Sequence, residues 1–388
     1  MASDEPRMGS LSARPSKRPR VGWLIAPAIA LLPLACWPGA VRPFSVPKLW
    51  LIGGLDLLVL AQYVTQARSA RAVPPWPWLA WIAAVSLASI SGSQFSPEAF
   101  LLLVLPLPLY LAGADAALAI CIGSAVESAI VLLQFVHHDP FLWLGWQPET
   151  FASSRMRAYG TLGNPDFVAA WLSATLPLGA LTRRGIVRVA LVGLQLAAIF
   201  CTGSRVFLLA LPAAALATAL YARRLEKWWL MAVSVVLAIV WFSPTRPLMA
   251  TVQGRLHLAK VTVAHLHEVP IAGYGPGSFE PMFARWQQSR LREHPADAAR
   301  HGPVDHAHND YLEFWVEYGP LGLGAFLVLC GWLFVRAWHA RASPGAIASL
   351  AALLAVACVD FPFHRPAEWA LFVVLAGLSR RSEPCRSG

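Results

Sequence analysis

Charge is what this chain has least of: 13% of its 388 residues are charged and 57% are hydrophobic, where a soluble domain carries roughly 25% charged residues. So little polar surface cannot clothe that much apolar matter in water, which excludes a soluble enzyme and implies an integral membrane protein. Short segments alternating apolar and polar are missing too, and with them the signature of a transmembrane barrel. The runs are apolar all round and approach the roughly 20 residues that a bilayer asks of a helix. Cysteine is scarce. Of the six, Cys36, Cys121, Cys201, Cys330 and Cys358 fall in apolar runs and Cys385 in a basic tail, so there is no disulfide framework.

The formal charge of +10 comes from basic residues scattered between apolar runs. No continuous patch forms, which argues against a nucleic-acid partner. Membrane topology accounts for them better. Residues 1–20 are polar and basic and read as a disordered cytoplasmic tail. The run at 21–39 has no small-residue cleavage site and is followed by further runs, so it reads as a first span rather than a signal peptide. The chain is expected to be an all-α polytopic membrane protein with about twelve spans, at 21–39, 44–65, 76–93, 97–113, 115–136, 166–181, 186–202, 205–221, 227–243, 319–335, 345–360 and 366–379. With the N-terminus inside, Arg68/Arg71, Arg183/Arg184/Arg188, Arg223/Arg224/Lys227, Arg336/Arg341 and Arg380/Arg381/Arg386 all fall in cytoplasmic connections, the last group in a tail at 380–388. Two sizeable segments remain on the outer side, 137–165 and 244–318, and the second is long enough for a small extramembrane domain between spans nine and ten.

Polar chemistry concentrates at the end of that segment, from His306-Ala307-His308-Asn309 to Gly322. A helix starting at Asn309 places Asp310, Glu313 and Glu317 on one face and Tyr311, Phe314, Trp315 and Tyr318 on the adjacent one. Gly319-Pro320 is expected to break it. His308 is thereby set just before a short amphipathic helix, a place that suits a base. Arg205 follows Thr202-Gly203-Ser204 at the outer end of the eighth span, and Arg255 lies early in the large outer segment. Two guanidinium forks form a natural clamp for a diphosphate.

At these residues the chain resembles the O-antigen ligase superfamily, which includes lipopolysaccharide O-antigen ligases, Wzy-type polysaccharide polymerases and protein O-oligosaccharyltransferases. The likeness is carried by His308-Asn309, nine residues, then Gly319-Pro320-Leu321-Gly322; by Thr202-Gly203-Ser204-Arg205; by Arg255 followed by Pro270-Ile271-Ala272-Gly273-Tyr274-Gly275-Pro276-Gly277-Ser278-Phe279; and by Gly160-Thr161-Leu162-Gly163-Asn164-Pro165. The resemblance implies a GT-C-like fold in the bacterial inner membrane with its active site facing the periplasm. It further implies inverting, metal-independent transfer of a glycan, without a cofactor, from an undecaprenyl diphosphate-linked donor to a lipid A-core or growing-glycan acceptor. His308 would be the general base, Arg205 and Arg255 would hold the diphosphate, and Asn309, Glu317, Gly319 and Gly322 would support them.

Other readings stand beside this one. His265, His267, Asp305, His306 and His308 share one segment, but they lack a helical His-x-x-x-His or Cys-containing ligand spacing, so a metal site is not expected. His306 reads as a structural partner. Gly273 to Gly277 does not match a phosphate-cradling loop and reads as tight turns. Asp360, His364 and Arg365, in the last outer turn, are candidates to border the cavity. The rival function class is a secondary transporter or lipid-linked glycan flippase, which would place paired charges near the bilayer midplane and repeat one half in the other. Neither feature is visible in the sequence.

Overall fold

The computed structural model describes residues 22–66, 75–111, 116–145, 157–180, 185–222, 248–293, 295, 302–339 and 343–378. The expected span at 227–243, both tails, and the basic residues Arg68/Arg71, Arg183/Arg184, Arg223/Arg224/Lys227 and Arg341 lie outside the described residues. Among the described residues the chain is helical and contains no strand. The α-helices are α1 (Gly22–Ala30), α2 (Val46–Gln66), α3 (Trp76–Ser91), α4 (Pro97–Val104), α5 (Ala116–Phe135), α6 (Pro140–Trp143), α7 (Pro165–Ala180), α8 (Gly185–Thr202), α9 (Phe207–Ala222), α10 (Leu248–Ala264), α11 (Phe279–Glu293), α12 (Asp310–His339), α13 (Pro344–Val356) and α14 (Pro366–Leu378). Three of them, α5, α8 and α12, are long and apolar enough to cross a bilayer by length and composition, and shorter apolar helices stand beside them.

Proline explains where apolar runs stop being helical. The run at 21–39 is helical only to Ala30, with Pro33 just beyond, and the run at 97–113 divides into α4 and a 3-10 turn at Leu107–Leu111, with Pro106 and Pro108 beside the break. Packing then depends on side-chain size. Where α13 meets α7 and α9 the buried residues are small, among them Ala346, Ala352, Ala170, Ala174, Ala210 and Ala214, so the backbones approach closely. Where α3 meets α12 they are large: Trp81 packs on Phe314 (5.2 Å between ring centroids), Phe326 (5.4 Å) and Tyr318 (5.6 Å). Each such pair adds about 0.5–1.5 kcal/mol beyond the area it buries.

The connections assigned to the outer side gather at one end. Gln94 N–H donates to Tyr274 O and Ser96 N–H to Pro276 O, Thr161 Oγ1 donates to Pro33 O, Arg157 Nη1 donates to Gly203 O, and Asn309 Nδ2 donates to Cys358 O. The outer segment has a small core of its own, built by Val261 of α10, Phe279, Met282, Phe283 and Trp286 of α11, Ala307, and Val316 of α12.

Gly319 breaks α12 with φ 66° and ψ −178°, so that the half before it lies in the outer segment and the half after it continues into the bundle. The run from Pro270 to Gly277 caps the broken end. Tyr274 N–H donates to Val316 O and Gly275 N–H to Glu317 O, satisfying carbonyls that the kink would otherwise leave unpaired. Only glycine fits at the break, since its backbone region is essentially closed to other residues and a Cβ there would stand 2.1 Å from Ile271 O. Gly319→Ala is therefore expected to cost about 3 kcal/mol, the conformational strain and the clash together. A thermal unfolding midpoint equal to the wild type's would show that the kink is not constrained in this way.

Candidate functional site

The first half of α12 is a helix with carboxylates turned inward. Asn309 caps it, its Oδ1 accepting from Leu312 N–H at 3.0 Å, while Asp310 N–H donates to Ala357 O at 2.9 Å. Asp310, Glu313 and Glu317 are each 1% exposed or less, a burial that needs a cation or a dense set of donors. His364, in the turn before α14, supplies it. Its Nδ1 lies 2.6 Å from Asp310 Oδ1, and its Nε2 lies 3.3 Å from Glu317 Oε2 and 3.5 Å from Glu313 Oε1. Burial works to strip the proton from His364, but Glu313, Asp310 and Glu317 outweigh it and raise its pKa well above the usual imidazole value. Backbone donors complete the set: Phe363 N–H to Asp310 (2.9 Å), Ala307 N–H to Glu313 (2.8 Å) and Gly277 N–H to Glu317 (2.8 Å). Glu317, expected to support the base, thus ties the Pro270–Gly277 turn and His364 to α12. Gly322 allows Tyr318 to fold over the kink, because a Cβ at Gly322 would meet that of Tyr318 at 2.2 Å.

His308 stands one step outward from this buried knot. It takes a left-handed φ of 49°, a conformation that costs a residue with a Cβ about 1–2 kcal/mol. The strain turns its ring toward the last outer turn, edge-on to Phe361 at 5.3 Å between ring centroids. Nδ1 of His308 lies 3.5 Å from Asp360 Oδ1, with the imidazole 38% exposed and the carboxylate 1%. One partner can therefore meet a substrate while the other is sealed in. Asp360 is fixed from behind by Arg365, whose Nη1 donates to Asp360 Oδ2 at 3.1 Å. Burial raises the Asp360 pKa, but Arg365, His308 and Arg255 together bring it below the usual carboxylate value. Helix α13 ends at Val356, so Asp360 belongs to the outer turn rather than to the expected span at 345–360.

Arg255 projects from α10, with its charge close enough to act on Asp360. Its Nη2 lies 3.9 Å from Asp166 Oδ2, and Asp166 Oδ1 lies 3.6 Å from Arg157 Nη2. Arg157 reaches in turn to Gly203 O, in the reversal between α8 and α9 where Gly203 has φ 61° and Ser204 Oγ accepts from Val206 N–H. Arg205, half-buried, opens that turn and its carbonyl accepts from Leu208 N–H at 3.0 Å. A single carboxylate between two guanidiniums holds like charges together and leaves the region cationic. Arg157 and Asp166 carried no separate signal in the sequence, although Asp166 directly follows Gly160–Pro165. That loop is itself held from α5, with Glu127 accepting from Thr161 N–H and Gln134 from Gly160 N–H.

The histidines of the outer segment do not form one cluster. His265 stacks on Trp286 at 5.1 Å between ring centroids and its Nδ1 sits 2.8 Å from Val261 O, far from the role weighed for it in a metal centre. Among the described residues the group able to hold a divalent ion is His306, Glu313 and His364, whose ligand atoms lie within 4.8 Å of one another. Each of these is engaged inside the protein, His306 Nδ1 at 2.7 Å from Glu313 Oε1 and His364 on its three carboxylates.

The arrangement is that of a helical, apolar-spanned protein carrying a histidine–carboxylate pair beside an arginine-rich surface at one end of its bundle. Residues 190–327 match the family model described as O-Antigen ligase, a stretch that contains Arg205, Arg255, His308, Gly319 and Gly322. Over that stretch the chain is similar to the O-antigen ligase/Wzy-type family. No curated protein and no solved structure matches it.

Proposed function

We propose that this protein transfers a glycan, with inversion, from an undecaprenyl diphosphate-linked donor to an acceptor hydroxyl, at the periplasmic face of the bacterial inner membrane. The observation that carries this reading is the pairing of solvent-reachable His308 with buried Asp360, within reach of the Arg255 charge, with His308 and Arg255 inside the stretch that matches the O-antigen ligase model. Facing a carboxylate, Nδ1 of His308 carries the ring proton, which leaves the Nε2 lone pair to accept one. In the transfer, Nε2 takes the proton of the acceptor hydroxyl as its oxygen attacks the anomeric carbon. The bond from that carbon to the diphosphate oxygen breaks, and its electron pair stays on the diphosphate. Attack opposite the leaving group inverts the carbon. Arg205 and Arg255 neutralise the charge that grows on the departing phosphate. The acceptor is a lipid A-core or a growing glycan.

The test is donor binding and single-turnover transfer by the purified protein in excess chelator. Arg255→Ala and Arg205→Ala are each expected to weaken undecaprenyl diphosphate binding by about 10- to 100-fold, the loss of one charge-assisted contact, and to slow transfer as well. Arg205→Lys, which keeps the charge and loses the fork, should fall between. Wild-type affinity and turnover in all three would remove the clamp, and transfer that needs added zinc or manganese would move the chemistry to His306, Glu313 and His364.

A further inference from the structure

The two arginines expected to hold a diphosphate stand on different elements, Arg255 on α10 and Arg205 in the turn before α9. A third arginine joins their surroundings. Arg157, just ahead of the Gly160–Pro165 loop, donates from Nη1 to Gly203 O at 3.3 Å, two residues from Arg205. Its Nη2 lies 3.6 Å from Oδ1 of Asp166, in the first turn of α7, and Arg255 Nη2 approaches the other oxygen of the same carboxylate at 3.9 Å. The side chain of Arg157 is 45% exposed, that of Asp166 31% and that of Arg255 27%, so each of the three reaches solvent.

Charge makes Arg157 more than a tie between loops. Asp166 cancels one guanidinium, so Arg255 beside it alone would offer a phosphate no net charge, whereas with Arg157 the trio keeps one positive charge. Asp360, the other carboxylate that feels Arg255, is matched by Arg365. Neither contact to Asp166 is a hydrogen bond, since both exceed the roughly 3.2 Å reach of N–H···O. The carboxylate therefore balances charge without occupying the donors that phosphate oxygens would take. Two guanidiniums held around one carboxylate also repel each other, and a bound anion relieves that repulsion. A diphosphate esterified at both ends carries a negative charge on each phosphate, and such a ligand uses donors that come from separate elements.

We propose that Arg157 is a diphosphate-binding residue, the third guanidinium of the donor site, with Asp166 as the carboxylate that keeps it beside Arg255. The proposal rests on the glycan-transfer reading and adds to it a residue that lies outside the stretch matched by the O-antigen ligase model.

Equilibrium binding of undecaprenyl diphosphate to the full-length protein in detergent, with thermal unfolding measured on the same samples, tests this. Arg157→Ala is expected to weaken binding by about 10- to 100-fold, the loss of one charge-assisted contact. Where Arg157→Ala does not fold, Arg157→Met, which keeps the length of the side chain, carries the same expectation. Arg157→Lys keeps the charge and should recover part of the loss. Asp166→Asn removes the negative charge from the trio and is expected to tighten binding by about two- to fivefold, the size of a screened surface charge effect. A mere tie between loops predicts the opposite, because either substitution breaks the same bridge and both would lose binding alike. Phosphatidylglycerol micelles supply the other source of phosphate, and Arg157→Ala is expected to bind them as the wild type does. Wild-type donor affinity in folded Arg157→Ala or Arg157→Met, a loss in Asp166→Asn that matches theirs, or an equal loss of phosphatidylglycerol binding overturns this proposal. The transfer reading survives each of those results as long as Arg205→Ala and Arg255→Ala weaken the donor. A wild-type protein that neither binds undecaprenyl diphosphate nor transfers glycan overturns the transfer reading, and this proposal with it.

Discussion

His308→Ala is expected to lower single-turnover transfer by at least about 10²-fold while leaving the affinity for the lipid-linked donor near its wild-type value. The two halves of that expectation come from different parts of the site. In the proposed site the proton acceptor is His308, whereas the diphosphate is held by Arg255 and Arg205, which stand on other elements, α10 and the turn before α9. Removing the imidazole also relieves the left-handed backbone only partly, since alanine keeps a Cβ at φ 49°. The fold is held by Asn309 and the carboxylates behind it. Asp360→Asn separates positioning from proton transfer. It keeps the shape beside Nδ1 but accepts a proton less well, so the ring loses its preferred tautomer, and turnover should fall by less than in His308→Ala with little change in the apparent donor affinity. A rise with pH in the wild-type rate that disappears in His308→Ala would tie the base to that ring. Normal transfer by His308→Ala would end the assignment.

Much of this architecture could be read from local rules. A helix starting at Asn309 and its break at Gly319-Pro320 were legible, whereas the runs at 21–39 and 97–113 were expected as whole spans and are helical over only part of their length. The carboxylates at 310, 313 and 317 were also legible as one face, and a buried face of three carboxylates requires a counter-charge. What the sequence did not disclose is which residue answers. His364 lies 54 positions beyond Asp310, and it meets that face because α13 returns the chain to the outer end and Pro362–His364 folds back over α12. The same return brings Asp360 to His308. These contacts depend on how helices pack rather than on any spacing along the chain. The Pro270–Gly277 run shows the converse case. Its glycines were legible as turns, but their use, capping a helix broken elsewhere, exists only once the two segments are docked.

His364 therefore carries the largest stability prediction. Replacing it by leucine, of similar bulk, would leave Asp310, Glu313 and Glu317 buried without their cation, and removing one partner from a buried ionic set costs about 3–5 kcal/mol. His364→Gln, which retains a donor and loses the charge, should recover part of that loss. The pH dependence gives the sign. Because the folded-state pKa of His364 is raised well above the roughly 6.5 of an unfolded imidazole, its contribution is fully present below that value and is lost as pH rises through the raised one. Wild-type thermal stability in detergent is expected to decline on the alkaline side, and the decline attributable to this group should be missing from His364→Leu, whose melting point is lower throughout. The knot lies behind His308, so a variant that still folds at low temperature should lose transfer in proportion to the displacement of the first half of α12. If His364→Leu melts with the wild type across the whole pH range, the three carboxylates are neutralised by their own protons, and the buried imidazolium that anchors this end of the fold does not exist.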